Sequence, residues 1–128
     1  VHCHGWFTSI VPLYIKMSYK EDPLFMKSRV IFSAYDEKFN SKLESRFLRK
    51  VKFEGVKEKD IEVISNPEFI NVAKMAFQYS DGVIKGSKNL PSELESVLKK
   101  LKIPVLEYQP PEKYIDAYSV FYDRILTE

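Results

Sequence analysis

Arg29-Val30-Ile31-Phe32-Ser33-Ala34-Tyr35 is a short apolar run with no polar alternation. A strand with one wet face alternates apolar and polar residues. A run without alternation suits a strand covered on both faces, and such strands belong to parallel sheets flanked by helices. Working towards the start of the chain, Trp6, Ile10, Leu13 and Met17 recur at spacings of four, three and four, the buried stripe of a helix. Thr8 or Ser9 can cap that helix, and Pro12 then falls in its first turn, where a missing N–H costs little. Val1-His2-Cys3-His4 reads as the last residues of another buried strand, so the sequence is expected to open inside a sheet.

Working towards the end, residues 36–63 are polar and poorly periodic. Phe39, Leu43, Phe47 and Leu48 suggest one irregular helix and Gly55 a break, the pattern of an insertion beside an active site. Asn66-Pro67-Glu68 predicts a helix start, with Asn as cap and Pro at the first helical position, and Phe69, Ile70, Ala73, Ala76 and Phe77 as its inward stripe. Val83-Ile84 is a third short strand with Gly86-Ser87 at its carboxyl end. Pro91 opens a helix carrying Leu94, Val97, Leu98 and Leu101. Ile103-Pro104-Val105-Leu106 is a fourth strand, Pro110-Pro111 a turn, and Tyr114 to Ile125 a final aromatic helix.

Strands alternating with helices imply right-handed crossovers. The expected fold is α/β, a three-layer arrangement of a mostly parallel sheet of about four strands with helices on both faces, half of a doubly wound domain. Ligands in such sheets sit at the carboxyl ends of the strands. Here those ends carry His4-Gly5-Trp6, Tyr35-Asp36, Gly86-Ser87 and Glu107-Tyr108.

The chain has 128 residues, enough for a single core. Apolar residues make up 45% and charged residues 30%, which excludes the disordered and fibrous classes. Twenty basic against 18 acidic side chains give a net charge of +2, without long blocks of one sign, so neither nucleic acid nor a membrane surface is implied as partner. No apolar stretch approaches the about 20 residues needed to span a bilayer, and the single cysteine, Cys3, suits a reducing compartment; a cytoplasmic location is expected.

His2-Cys3-His4 places two imidazoles on one face of a strand, but these are the only two His and the only Cys. The ligand count of a zinc or iron site is not met, and no metal or cofactor is expected. His2 suits a buried ring with both nitrogens satisfied, whereas His4, at the strand tip, could hydrogen-bond a ligand hydroxyl. Asn71, Lys74 and Gln78 form a polar stripe on their helix, able to meet a sugar or phosphate, although a solvated face is the commoner use of such a stripe. The aromatic set Tyr114, Tyr118, Phe121 and Tyr122 reads as core packing. No dinucleotide fingerprint, P-loop or nucleophile elbow is present.

His2-Cys3-His4-Gly5-Trp6 and the following residues to Lys16 resemble the H-x-H-D-W stretch of bacterial glycogen and starch synthases, retaining transferases that extend α-1,4-glucan from ADP-glucose. Ile70-Asn71-Val72-Ala73-Lys74 with Tyr79-Ser80-Asp81 is similar to their I-N-x-x-K…A-D segment, and Val83 to Ser87 falls at their V-S-P turn. The final helix resembles the end of a short bacterial branch. The resemblance implies two Rossmann-like domains around a cleft, of which residues 1–128 correspond to the second half of the first, a fragment of a longer chain. It implies that His4 meets the donor glucose and that Asn71 contacts sugar. With the strand-end and stripe positions, the candidate substrate-binding residues are His4, Trp6, Asn71, Lys74 and Ser87, with ADP-glucose and α-glucan as ligands and no catalytic residue assigned. The family aspartate of H-D-W is Gly5 here, and the H-N-x-A-Y-Q-G loop reads Tyr35-Asp36-Glu37-Lys38-Phe39-Asn40-Ser41.

One half-sheet supplies no clamp for a departing diphosphate, so the chain is expected to be inactive alone. The alternative is a degenerate, non-catalytic module that binds glucan or a partner chain; a small receiver-like or nucleotide-binding protein is the default reading of the layer pattern. An exposed sheet edge would favour a homodimer.

Overall fold

The computed structural model describes residues 1–128. Its sheet has four strands, β1 (His2–His4), β2 (Ile31–Ala34), β3 (Gly82–Lys85) and β4 (Val105–Leu106), all parallel and side by side in chain order. His4 lies opposite Ser33, Phe32 opposite Val83, and Ile84 opposite Leu106. Five α-helices accompany it: α1 (Val11–Lys16), α2 (Phe47–Val51), α3 (Phe69–Gln78), α4 (Ser92–Lys99) and α5 (Tyr114–Thr127), with 3-10 turns at Trp6–Thr8 and Glu58–Ile64.

When strands are laid down in sequence order, right-handed crossovers all land on the same side. One face of the sheet, through Cys3, Phe32, Ala34 and Val83, packs against Ile15 of α1, Ala73 and Phe77 of α3 and Leu94 and Leu98 of α4. The opposite face, through Ile31 and Ile84, packs on Phe121 and Ile125 of α5 alone. The three-layer α/β fold is as expected, but the layers are unequal and the strand order does not reverse within the chain.

Most of the polar insertion is a packing layer. Val51, Val56, Ile61 and Ile64 bury against Leu13 of α1, Val72 and Met75 of α3 and Tyr79 just after it, while the Tyr79 hydroxyl donates to the carbonyl of Asp60 (2.6 Å). Its periodicity is hard to read because it makes one five-residue α-helix and a 3-10 segment, neither long enough to show a stripe. α3 starts at Phe69, two residues after the expected Pro67, with Glu68 as its cap residue; the Asn66 carbonyl instead accepts from the Asn71 amide (2.8 Å). α1 is shorter than its four-residue stripe implied, since Trp6 belongs to the preceding 3-10 turn.

At the amino ends of the strands, Asp81 Oδ2 accepts from both Lys16 Nζ and the Val30 N–H, each at 2.7 Å, tying α1, β2 and β3 together. No helix is long and apolar enough to cross a membrane.

Candidate functional site

The carboxyl ends of β1, β2 and β3 form a rim held by short-range bonds. After His4 the chain turns at Gly5 (φ 74°), whose N–H donates to the Ser33 carbonyl (3.0 Å), and the Trp6 N–H donates to Glu37 Oε1 (2.6 Å). The Thr8 hydroxyl, expected as a cap of α1, instead bonds back to the carbonyls of His4 and Gly5. Beyond β2, the Asp36 N–H donates to Ser87 Oγ (2.9 Å) and the Glu37 N–H to the Tyr35 carbonyl (3.0 Å). The Tyr35 ring lies against Gly86, where any Cβ would collide with it, so glycine is required there by close approach.

His2 and His4 project from β1 to the α5 side, their rings stacked with centroids 3.9 Å apart. His2 Nδ1 lies 2.5 Å from the Tyr122 hydroxyl and Nε2 2.6 Å from Ser33 Oγ, so the neutral ring has one donor and one acceptor role met. Burial, reinforced by His4 and the terminal amine, lowers its pKa to about 4. His4 is exposed, and its Nδ1 lies 2.8 Å from the Tyr35 hydroxyl, while Nε2 has no partner in the protein. Burial raises the pKa of Tyr35, Tyr118 and Tyr122, keeping them protonated donors.

The one cation near the rim with a defined seat, Lys85, is held between Glu95 (2.8 Å) and Glu107 (2.9 Å), which raise its pKa and neutralise it. Cys3 points to the opposite, helix-packed face, and burial pushes its thiol pKa up. The rim therefore offers hydroxyls, an imidazole nitrogen and exposed carboxylates, a set suited to hydrogen-bonding a polyol rather than to nucleophilic attack.

His4, Trp6 and Ser87 of the expected residues come together here, linked through Tyr35, Asp36 and Glu37. Ser87 fixes the β2 loop through its hydroxyl. Trp6 is half-buried, edge-on to Phe39 (5.1 Å), and walls an open apolar cavity of about 350 Å³ with Phe7, Ile10, Leu43 and Phe47. Asn71 sits in the first turn of α3, its side chain engaged with Asn66. Lys74 stands apart, in a cleft between α3 and α4 beside Gln78 and Lys100. Sequence reasoning placed Tyr35 at a ligand-bearing strand end without giving it a role, and assigned none to Glu37. A signal for Tyr35 existed: it shares the parity of Ile31 and Ser33 and so faces the side His4 faces. Of the aromatic helix, Phe121 is core as expected, but Tyr118 and Tyr122 are only half-buried, beside His2, and Tyr114 is exposed.

The family model of the starch synthase catalytic domain matches residues 1–100, which include β1 to β3, α4 and the whole rim except the β4 end. The chain belongs to the starch synthase catalytic-domain family. It is similar to glycogen synthases of Desulfitobacterium hafniense (29% identical over 100 residues, 74% of this chain and 20% of that one) and Photobacterium profundum (27% over 94 residues, 73% and 18%). A shorter match, 36% identical over 36 residues, is to the glycogen synthase of Thermodesulfovibrio yellowstonii, covering 28% of this chain and 7% of that one. The chain thus spans about one fifth of the length of these curated glycogen synthases. No solved structure matches it significantly. Helix α5 lies outside the matched residues, yet it covers the sheet face that His2 and His4 occupy.

Proposed function

We propose that residues 1–128 form the second half of the first Rossmann-like domain of a retaining glucosyltransferase that extends α-1,4-glucan from ADP-glucose, acting in the cytoplasm. In this reading His4 meets the glucosyl unit, Trp6, Ser87 and Asn71 border the same cleft, and transfer requires more chain than these residues. The observation that carries it is the seat of His4: exposed at a strand tip, its ring oriented by Tyr35 through Nδ1, and its Nε2 unpartnered. That is how a ring is held to hydrogen-bond a sugar hydroxyl. Lys74 has no part in this site unless glucan runs across the α3–α4 cleft.

The test is an NMR titration of the labelled protein with ADP-glucose and, separately, with a maltooligosaccharide. Shifts centred on His4, Trp6 and Ser87, abolished by His4→Ala, are expected; shifts elsewhere, or none, would count against the site.

A second reading is a non-catalytic glucan-binding module, favoured by Gly5 and by Lys85, whose charge is engaged by Glu95 and Glu107 and so is not free for a diphosphate. Glucan extension by a longer polypeptide that contains these residues, abolished by His4→Ala, would dismiss it. The outer edge of β1 has no strand beside it, which supports edge-to-edge pairing with a second copy. A monomer mass by light scattering at high concentration would refute that pairing.

A further inference from the structure

Gly5 and Glu37 are fitted to each other. Gly5 holds φ 74°, a conformation that residues with a Cβ rarely adopt, and a Cβ built there would collide with the Glu37 carboxylate. That carboxylate is not loosely placed. Oε1 accepts the Trp6 N–H at 2.6 Å, a charge-assisted bond, and the loop that carries it is pinned by Glu37 N–H to the Tyr35 carbonyl and Asp36 N–H to Ser87 Oγ. Oε2 has no partner within the protein, and the residue is exposed.

We propose that Glu37 is a ligand-binding carboxylate of the rim, delivered from the β2 loop to the position where a side chain at residue 5 would otherwise stand. One oxygen is fixed by Trp6, and the other accepts hydrogen bonds from a vicinal diol of a sugar. The aspartate expected between His4 and Trp6 by resemblance is missing, but a carboxylate is not: it has changed loops. The backbone at residue 5 (φ 74°, ψ 171°) calls for glycine, and the side chain that glycine lacks leaves the place where the Glu37 carboxylate sits. The sugar-facing role rests on the function proposed above; the exchange between positions 5 and 37 does not.

Two readouts separate these parts. The first is folding stability by denaturant titration of wild type, Gly5→Asp, Glu37→Ala and the double variant. Gly5→Asp is expected to lower the folding equilibrium constant at least tenfold more when Glu37 is present than in the Glu37→Ala background. Additive effects would overturn the exchange, whatever happens with sugar. The second is maltooligosaccharide affinity by NMR. Glu37→Gln keeps an oxygen for the Trp6 N–H but removes the charge, and is expected to weaken binding three- to tenfold, with the Trp6 amide resonance little moved. Unchanged affinity in Glu37→Gln and Glu37→Ala, with binding lost in His4→Ala, would overturn the ligand-facing role while leaving the His4 site standing. Non-additivity without sugar binding by wild type would remove the ligand role together with the proposed function and leave Glu37 as a structural replacement.

Discussion

His2 and His4, two residues apart on β1, stack face to face with ring centroids 3.9 Å apart and planes inclined by 24°. Side chains at i and i+2 of a strand share a face, so the pairing follows from β1 being a strand. The cover comes from α5, whose Tyr122 meets His2 at 2.5 Å.

This arrangement makes stability depend on pH. The folded pKa of His2 is lowered to about 4, below the roughly 6.5 of an unfolded histidine, so the unfolded state binds the extra proton between those values. The contribution is intact above about pH 6.5 and is lost as pH falls towards 4. Denaturant melts from pH 7.5 to 4 should show a loss of about 1–2 kcal/mol assignable to this half-buried group, after allowance for solvent screening. His2→Gln should flatten that segment of the curve, and an identical slope in the variant would refute the assignment.

Tyr35→Phe removes only the hydroxyl that orients His4. One hydrogen bond of this kind is worth about 0.5–1.5 kcal/mol, so maltooligosaccharide affinity should fall roughly two- to tenfold, with folding little changed. Isothermal titration or NMR would read it; full wild-type affinity would mean that Tyr35 does not position the ring.

Asp81→Asn should act on stability and leave the rim alone. Asp81 accepts from Lys16 Nζ and from the Val30 N–H, both at 2.7 Å, at the end of the sheet away from His4. Losing the charge leaves Lys16 without its carboxylate and should cost about 1–3 kcal/mol in chemical denaturation, with unaltered shifts for the His4 and Ser87 amides.

Phe121→Ala tests whether α5, outside the family match, is integral to the domain. Phe121 is 4% exposed and packs with Ile125 on Ile31 and Ile84. A loss of about 3–5 kcal/mol is expected for a buried aromatic truncation. A loss below about 1 kcal/mol would show that the helix rests on the sheet without supporting it.

Legibility divides along the range of the forces involved. The Arg29–Tyr35 run, the Leu94–Leu98 stripe and the Pro91 helix start could be read directly, because periodicity and proline chemistry are local and each element buries the face its pattern names. That both ring nitrogens of His2 are satisfied was also legible, though the ring is half-buried and its partners could not be read. The insertion was opaque because its apolar residues serve a second layer on α1 and α3, spaced by contacts with other elements and not by a helical period.

The sequence by itself determined the parallel α/β layering, the strand positions and the family, since a sheet covered on both faces can be written in runs of apolar residues. Tertiary structure alone decided that the three crossovers share one face and that α5 closes the other. It also decided that Tyr35 orients His4 and that Glu37 reaches Gly5 and Trp6 across 31 residues of chain. Those contacts join separate loops whose approach is set by strand register and crossover handedness, quantities that no local pattern of residues records.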